Sequence, residues 1–238
     1  MEITGSVALV TGANRGLGRR FAQSLLDRGA AKVYAAARNP EAIDLPGVIP
    51  LQLDITDLAS VAAAAATASD VTLLINNAGS STRANLLDGE LADIRLEMDT
   101  HYFGTLLVTR AFAPILARNG GGAILNVLSV LSWFATPQTG AYAAAKSAEW
   151  SLTNALRQQL APAGTLVTSL HVGYMDTDMA AHVDGPKSDP AAVANLSLDG
   201  IEAGEFEVVA DELSHTVKAS LAGPLTGTYR SLAPAAAH

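Results

Sequence analysis

Short, nearly uninterrupted apolar runs alternate along the chain with longer segments whose apolar positions recur at helical spacing. The apolar runs show no polar alternation, which is typical of parallel strands that are buried on both faces of a sheet. They predict strands at residues 6–11, 32–36, 48–53, 71–76, 122–128, 165–171 and 206–209. Helices are predicted near residues 16–28, 57–69, 90–118, 140–161, 190–203 and 211–221, and the residues from Pro224 onward are expected to fray.

This alternation predicts an α/β fold, a doubly wound parallel sheet of the Rossmann-like kind with right-handed crossovers. No linker, charge block or repeat divides the chain, so residues 1–238 are expected to form a single domain. After His171 the rhythm loosens into the polar stretch GYMDTDMAAHVDGPKSDP. A loop of that length in a compact domain is usually a lid or a disordered piece, and a substrate-covering loop is predicted near residues 174–195.

Composition narrows the classes of function. The net charge of −8 and the pI near 5.0 argue against a nucleic-acid partner, which would need clustered basic residues. The absence of cysteine excludes disulfides and thiolate metal sites and fits a reducing compartment. The first ten residues, MEITGSVALV, lack the pattern of a signal peptide, and no apolar run is long enough to span a bilayer. The sequence therefore predicts a cytoplasmic protein without a membrane partner.

The first predicted strand runs directly into TGANRGLG, which opens the first predicted helix. Gly12, Gly16 and Gly18 would let the backbone approach a pyrophosphate whose charge rests on the helix N-terminus. The spacing Gly-x-x-x-Gly-x-Gly departs from the Gly-x-Gly-x-x-Gly fingerprint, and a tight turn without a ligand is the alternative. Its place between an N-terminal strand and a helix favours a dinucleotide site.

The end of the second predicted strand bears on which dinucleotide is bound. In NAD-binding proteins an acidic residue about twenty positions after the glycine turn binds the ribose 2′-hydroxyl. Here the sequence YAAARNP places Ala37 and Arg38 there, and Arg15 lies within the glycine turn. Either arginine alone would be typical of a solvated surface. Together, without an acid, they favour a 2′-phosphate, so the predicted cofactor is NADPH/NADP+.

The segment GAYAAAKSAEW, residues 140–150, sets a tyrosine and a lysine four positions apart in an alanine-rich helix. At that spacing Tyr142 and Lys146 lie on one helix face. A phenol has an ordinary pKa of about 10, and a neighbouring ammonium group lowers that pKa by stabilising the phenolate. By themselves the two residues would more simply belong to an exposed amphipathic face, but a paired phenol and ammonium also suit acid/base catalysis.

Four features together resemble the short-chain dehydrogenase/reductase family: TGANRGLG, NNAG at residues 76–79, a serine thirteen residues before a tyrosine, and YAAAK. The resemblance extends from about residue 5 to about residue 180. It implies that Tyr142 is the acid/base, that Lys146 also binds the nicotinamide ribose, and that Ser129 holds the substrate oxygen. Ser132 is the nearest alternative to Ser129. The implied cofactor contacts are Gly12, Asn14, Arg15, Gly16, Leu17, Gly18, Arg38, Asp54, Ile55, Asn77, Ala78, Gly79, Tyr142, Lys146, Gly173, Met175 and Thr177.

Within that set, the resemblance implies that Asp54 meets the adenine amino group, although helix N-capping is an alternative for an aspartate at this place. Thr177 would meet the nicotinamide carboxamide. The family usually has Pro-Gly where this chain has Val172 and Gly173, and the loop loses the stiffness that proline would give.

A sharper departure lies in MDTHYFGTL, where His101 occupies the place of the family's usual asparagine. That asparagine helps to kink a helix and to hold a water linked to the lysine. A histidine can donate and accept through its two ring nitrogens and titrates near neutrality. His101 is therefore a candidate fourth catalytic residue, and packing within a helix is the alternative.

The resemblance implies a reductase that transfers hydride between NADPH and a ketone or aldehyde. Its pocket would be mostly apolar and aromatic and would suit a hydrophobic substrate, with a cyclic imine as one option. The predicted pocket residues are Leu131, Trp133, Phe134, Gln138, Tyr174 and Met179. A non-catalytic NADPH-binding sensor or scaffold is the alternative, whereas a sugar-nucleotide epimerase would need a longer substrate domain. No metal is predicted, because Asp178 and His182 have no third ligand. Helices 100–118 and 140–161 are expected to pair in a homodimer or homotetramer.

Overall fold

The apolar runs of the sequence form one parallel sheet of seven strands, in a computed structural model that describes residues 1–229. The strands follow the order β3-β2-β1-β4-β5-β6-β7, so the order reverses between β1 and β4, as in doubly wound sheets. This confirms the predicted fold class. Their bounds are β1 (Val7–Thr11), β2 (Lys32–Ala37), β3 (Ile49–Gln52), β4 (Leu73–Asn76), β5 (Gly122–Val127), β6 (Thr165–His171) and β7 (Glu207–Val209).

Helices cover both faces of the sheet. On one face Phe21 and Ile201 pack into a core with the apolar side chains of the strands, and on the other face Val61 and Phe112 do the same. Burial of the strands on both sides explains their continuous apolar character. The helices are α1 (Gly16–Asp27), α2 (Leu58–Thr67), α3 (Leu91–Met98), α4 (Thr105–Arg118), α5 (Gly140–Leu160), α6 (Pro190–Ala203), α7 (Glu212–Ser220) and α8 (Leu225–Thr228).

The single helix predicted over residues 90–118 is interrupted by a π-helix at Asp99–Gly104, which joins α3 to α4. The cause is tertiary packing. A Cβ on Gly104 would lie 2.8 Å from Cδ1 of Ile55, and a Cβ on Gly79 would lie 2.8 Å from Cε1 of His101. The backbone therefore passes close to two neighbouring segments in the middle of this helix, and π-bulges of this kind are frequent at functional sites.

Two further boundaries differ from the prediction. The long loop after β6 ends at Asp189, because Pro190 begins α6, so residues 190–195 of the predicted loop are helical. Residues 225–228 form α8 where fraying was predicted, and the Tyr229 hydroxyl accepts a hydrogen bond from Ala135 N at 3.1 Å. The rest of that segment, residues 230–238, lies outside the described residues. Within residues 1–229, no helix combines the length and the apolar character needed to cross a membrane.

Candidate active site

The glycine turn leaves the N-terminus of α1 open. Gly12 and Gly16 have positive φ angles of 65° and 54°, and a Cβ on Gly12 would lie 2.9 Å from Cα of Ala78. Arg15 occupies the N-cap position, yet no side chain caps the helix within the described residues. The first-turn amides therefore stay available to an anion, and the missing side chains leave backbone within reach of it. These features fit a dinucleotide pyrophosphate.

The NNAG segment is fixed to the end of β1 by a compact set of hydrogen bonds. The Thr11 hydroxyl accepts from the backbone amides of Asn77 and Ala78, each at 2.9 Å. The Asn77 side chain donates to the carbonyl oxygens of Thr11 at 2.8 Å and Gly12 at 3.3 Å. The Asn77 side-chain amide thus holds the glycine turn in place. The backbone of residues 77–79 then lies next to that turn, where the cofactor is predicted to bind.

The two arginines expected at a 2′-phosphate have different neighbours. Both side chains are exposed. Arg15 forms an ion pair with Asp178 at 3.4 Å. Arg38 lies close enough to Asp54 for its charge to help lower the pKa of that carboxyl. The larger cause of the low Asp54 pKa is the hydrogen bond from the Thr56 amide. N-capping does not explain Asp54, because the cap of α2 is Asp57, which accepts from Ala59 N at 3.0 Å.

Thr177 and Asp178 bring the long loop over the glycine turn. A Cβ on Gly16 would lie 3.5 Å from the Thr177 methyl group, and the neighbouring Asp178 reaches Arg15 at 3.4 Å. The loop therefore covers the same opening that the first turn of α1 offers to an anion.

Ser129 follows β5 and faces the helix that carries the predicted acid/base. Its hydroxyl oxygen accepts from Leu131 N at 3.1 Å, which leaves the hydroxyl proton free, and the group helps to stabilise a Tyr142 phenolate. The alternative serine, Ser132, accepts from Ser129 N at 3.3 Å and is 2% exposed. Ser132 thus shapes the turn that presents Ser129.

Lys146 lies in a buried site with its ammonium 5.9 Å from the centre of the Tyr142 ring. It donates to the Val127 carbonyl at 2.7 Å and to the Glu149 carboxylate at 2.7 Å. Burial is the largest influence and acts to lower the pKa of Lys146, but the charge and hydrogen bond of Glu149, together with Tyr142 and Glu97, outweigh it and raise that pKa above its ordinary value. The lysine is therefore an ammonium, with one N–H left for a ligand.

The Lys146 charge lowers the pKa of Tyr142, as expected, but other causes outweigh it in the protein alone. Burial raises the pKa of Tyr142, the Lys146 charge lowers it, and the negative charges of Glu149 and Glu97 raise it again. The balance leaves the pKa above its ordinary value. The main reason is burial of the phenol, and the two buried carboxylates add to it against the single ammonium.

His101 lies edge-on to the Tyr142 ring, with ring centres 5.0 Å apart and planes at 84°. Its Nε2 is 2.8 Å from the Ser80 carbonyl oxygen and 3.2 Å from the Glu97 carboxylate. Because both neighbours are acceptors, Nε2 carries a proton. Nδ1 is buried beside Gly79 and has no hydrogen-bond partner among residues 1–229. The imidazole thus offers a free polar atom next to the phenol.

Glu97 is fully buried and holds His101 in that orientation. Its other oxygen accepts from the amide and the hydroxyl of Thr82, the latter at 2.8 Å. Burial acts to raise the pKa of Glu97, but the contact with His101 and the hydrogen bonds from Thr82 together outweigh it and lower that pKa. Glu97 is accordingly a carboxylate at neutral pH.

Trp133 belongs to a buried cluster behind Ser129. The indole is 9% exposed and stacks on His171, with ring centres 3.8 Å apart. Nδ1 of His171 lies 3.3 Å from the Ser129 carbonyl, and burial lowers the pKa of His171 to about 3, so this histidine is neutral. Of the other predicted pocket residues, Leu131 and Phe134 are half-buried, and Gln138, Tyr174 and Met179 are exposed.

Asp211 supplies the rigidity that the missing proline would have given the loop after β6. One carboxylate oxygen accepts from the Gly173 amide, and the other accepts from Ser214 N at 2.8 Å as the N-cap of α7. A Cβ on Gly173 would lie 3.3 Å from the same carboxylate. Gly173 is therefore hydrogen-bonded directly to the N-cap residue of α7.

Replacing Asp211 with alanine is expected to weaken binding of the predicted dinucleotide severalfold, because Gly173 would lose its acceptor and the loop its anchor. The lost cap should also destabilise the fold by about 1 kcal/mol. Asp57→Ala is the matched control, since it removes only the cap of α2. Fluorescence titration with NADPH measures the difference, and equal affinities in the two variants would show that Asp211 serves stability alone.

Residues 6–187 match the model of the short chain dehydrogenase family. The chain belongs to that family. A short-chain dehydrogenase of Burkholderia cenocepacia, solved in complex with NADP, is 41% identical, superposes with a TM-score of 0.93 and aligns over 98% of this chain and 100% of its own. The family includes the 3-oxoacyl-[acyl-carrier-protein] reductase FabG of Vibrio harveyi, 32% identical over 75% of this chain and 77% of the reductase.

A more distant member, a short-chain dehydrogenase/reductase of Burkholderia phymatum in complex with NAD, is 24% identical and covers 100% of this chain and 99% of its own. Its TM-score of 0.83 reflects a shared fold. The chain is accordingly a nicotinamide-dependent oxidoreductase of the short-chain dehydrogenase/reductase family.

Proposed function

We propose that the protein is an NADPH-dependent carbonyl reductase that acts on hydrophobic ketones or aldehydes. The observation that carries the proposal is the convergence of Ser129 and Lys146 on the Tyr142 phenol, beside an open glycine turn. A non-catalytic NADPH-binding sensor would not need all three groups in contact range.

In this proposal the bound nicotinamide supplies the hydride that adds to the carbonyl carbon. The Ser129 hydroxyl, whose proton is free, donates a hydrogen bond to the carbonyl oxygen and fixes the position of that oxygen. As negative charge develops on that oxygen, Tyr142 gives it the phenolic proton, and the product is the alcohol. Lys146, which uses two N–H groups on Val127 and Glu149, would hold the cofactor ribose with the third and would stabilise the phenolate by its charge. Solvent then returns a proton to Tyr142, with His101 as a candidate relay.

The substrate would lie beneath the loop at Tyr174–Met179, against Leu131, Phe134 and Gln138. Trp133 would support this pocket from behind through its stacking on His171. The exposed apolar surface of Tyr174 and Met179, 45% and 50% exposed, favours a hydrophobic substrate that this loop could cover.

A screen of ketones, aldehydes and cyclic imines with NADPH, followed at the absorbance of the reduced cofactor, tests this function. Consumption of NADPH with at least one carbonyl class, and its loss in a Ser129→Ala variant, would support the reductase. Tight NADPH binding without turnover of any compound would favour the sensor.

Preference for NADPH over NADH is expected to be at least about tenfold in kcat/KM, or about 1.4 kcal/mol. It rests on exposed Arg15 and Arg38 and on Ala37 in place of an acid, and the NADP complex of the Burkholderia cenocepacia relative supports it. Ala37→Asp combined with Arg38→Ala should move the preference towards NADH. Arg20→Ala, another exposed arginine, should leave it unchanged. Equal use of both cofactors by the unaltered protein would contradict the assignment.

The proposed assembly is a homodimer or homotetramer that pairs through α4 and α5. Phe103, at the start of this surface, is 48% exposed and borders a groove with Leu96 and Leu107. Light scattering coupled to size-exclusion chromatography would report the mass, and a monomer at micromolar concentration would contradict it.

A further inference from the structure

Glu149 is a buried carboxylate on the helix that carries the predicted acid/base pair. It lies three residues after Lys146, is 2% exposed and contacts the lysine ammonium at 2.7 Å. Its other oxygen accepts from the Thr105 hydroxyl at 2.9 Å, at the first residue of α4. Both oxygens are thus engaged, one by the catalytic ammonium and one by the helix that continues from the π-helix.

Anchoring the Lys146 ammonium does not by itself require a charged residue at position 149. The Val127 carbonyl already holds the Lys146 ammonium at 2.7 Å, so a neutral residue at 149 would leave the lysine anchored. What Glu149 adds is one negative charge inside a low-dielectric site, where charges act strongly on one another. Such a charge opposes the loss of any proton from its neighbours.

The Tyr142–Lys146 pair has few other charged neighbours. Glu97 on α3 adds a second negative charge and acts on both members of the pair. His101, on the π-helix, contacts the Tyr142 ring, and His171 at the end of β6 feels the Lys146 charge but stays neutral. Two carboxylates therefore face one ammonium, and Glu149 is the one in direct contact with it.

We propose that Glu149 is a positioning residue whose charge opposes loss of a proton from the Tyr142–Lys146 pair, so that the pair gives a proton to a new alkoxide at neutral pH and takes one from an alcohol only at alkaline pH. This inference rests on the proposed function. Reduction requires a protonated phenol that gives its proton to the new alkoxide, whereas oxidation requires a phenolate that accepts one. A charge that retains the proton favours the first direction and confines the second to alkaline pH.

The raised pKa values of Tyr142 and Lys146 agree with this assignment. Glu149→Gln keeps the size of the side chain and removes the charge. Either member of the pair then loses its proton more easily, because the negative charge that opposed the loss is gone. The pH at which the pair releases its first proton should therefore fall.

The direct experiment is an NMR titration of the whole chain labelled with ¹³C at the tyrosine ζ-carbon and the lysine ε-carbon. The chain has five tyrosines, and Tyr142→Phe and Lys146→Met assign the two signals. Between about pH 6 and about pH 11, the first proton loss from the pair should occur at least about one pH unit lower in Glu149→Gln than in the parent.

Two controls separate charge from other effects. Thr105→Val removes the outer hydrogen bond and keeps the Glu149 charge, so its first proton loss should lie within about 0.3 pH unit of the parent. Glu205→Gln removes an exposed carboxylate in the turn before β7 and should change nothing. An unchanged titration in Glu149→Gln, or an equal shift in Thr105→Val, would overturn the proposal.

If Glu149→Gln does not fold, the comparison moves to Lys146→Met and the double variant Lys146→Met/Glu149→Gln, which leaves no unpaired buried ion. A lower Tyr142 midpoint in the double variant supports the proposal, and equal midpoints overturn it.

These titrations need neither substrate nor cofactor. A shifted titration without carbonyl reduction would therefore refute the proposed function alone, and an active reductase with an unshifted titration would refute the role of Glu149 alone.

Discussion

Replacing Tyr142 with phenylalanine is expected to lower turnover by about 10³-fold while leaving NADPH affinity unchanged. The change keeps the ring and its edge contact with His101 and removes only the proton donor. Stopped-flow or steady-state assays with a carbonyl from the screen measure turnover, and NADPH fluorescence measures binding. Both are needed, because a collapsed cofactor site would also abolish turnover.

Tyr102→Phe is the matched control for this prediction, since Tyr102 lies in the neighbouring π-helix and packs against Phe103. It should retain activity close to the parent. Retention of more than a few per cent of turnover by Tyr142→Phe would show that another group gives the proton to the substrate.

The sequence was sufficient to predict the strands and the family. Continuous apolar runs become β1 to β6 within one or two residues, because strands buried on both faces need apolar side chains at every position. The helical spacing of Tyr142 and Lys146 places both on one face of α5, and the turn after β5 presents Ser129 to them. These features depend on local spacing and on strand order.

Features that depend on contacts between distant segments could not be predicted. At the π-helix Gly104 lies close to Ile55 and His101 lies close to Gly79, and the family resemblance indicates a kink near residue 101 without showing these contacts. A single glutamate in a helix ordinarily lies on a solvated face. Only the fold shows that Glu149 reaches a buried lysine, or that Asp211 reaches Gly173 across 38 positions.

The sequence identifies His101 as a departure from the family's usual asparagine, and the structure shows which groups surround it. Its Nε2 proton is held by Ser80 and Glu97, so any proton transfer would use the unpaired Nδ1. If Tyr142 gives its proton to the substrate as proposed, solvent has to reprotonate it, and a polar atom beside the phenol can take part in that path. The contact with Glu97 also gives His101 a structural role, and an experiment has to separate that role from proton transfer.

His101→Phe is expected to lower kcat by about tenfold, equivalent to about 1.4 kcal/mol. His101→Asn should retain most activity, because its amide and a water molecule could replace the imidazole. NADPH binding should change little in either variant, since the relay reaches the cofactor only through Lys146. Steady-state kinetics with saturating NADPH measures kcat, and thermal unfolding in parallel measures stability.

Loss of His101 also leaves the buried Glu97 carboxylate without one partner, which should destabilise the fold by about 1–3 kcal/mol. The double variant His101→Phe/Glu97→Gln removes that unpaired charge, and Glu97→Gln alone is its reference. If the double variant recovers stability but not kcat, His101 acts in proton transfer. If His101→Phe turns over as fast as the parent, His101 only packs against Tyr142 and Gly79, and the catalytic set is Ser129, Tyr142 and Lys146.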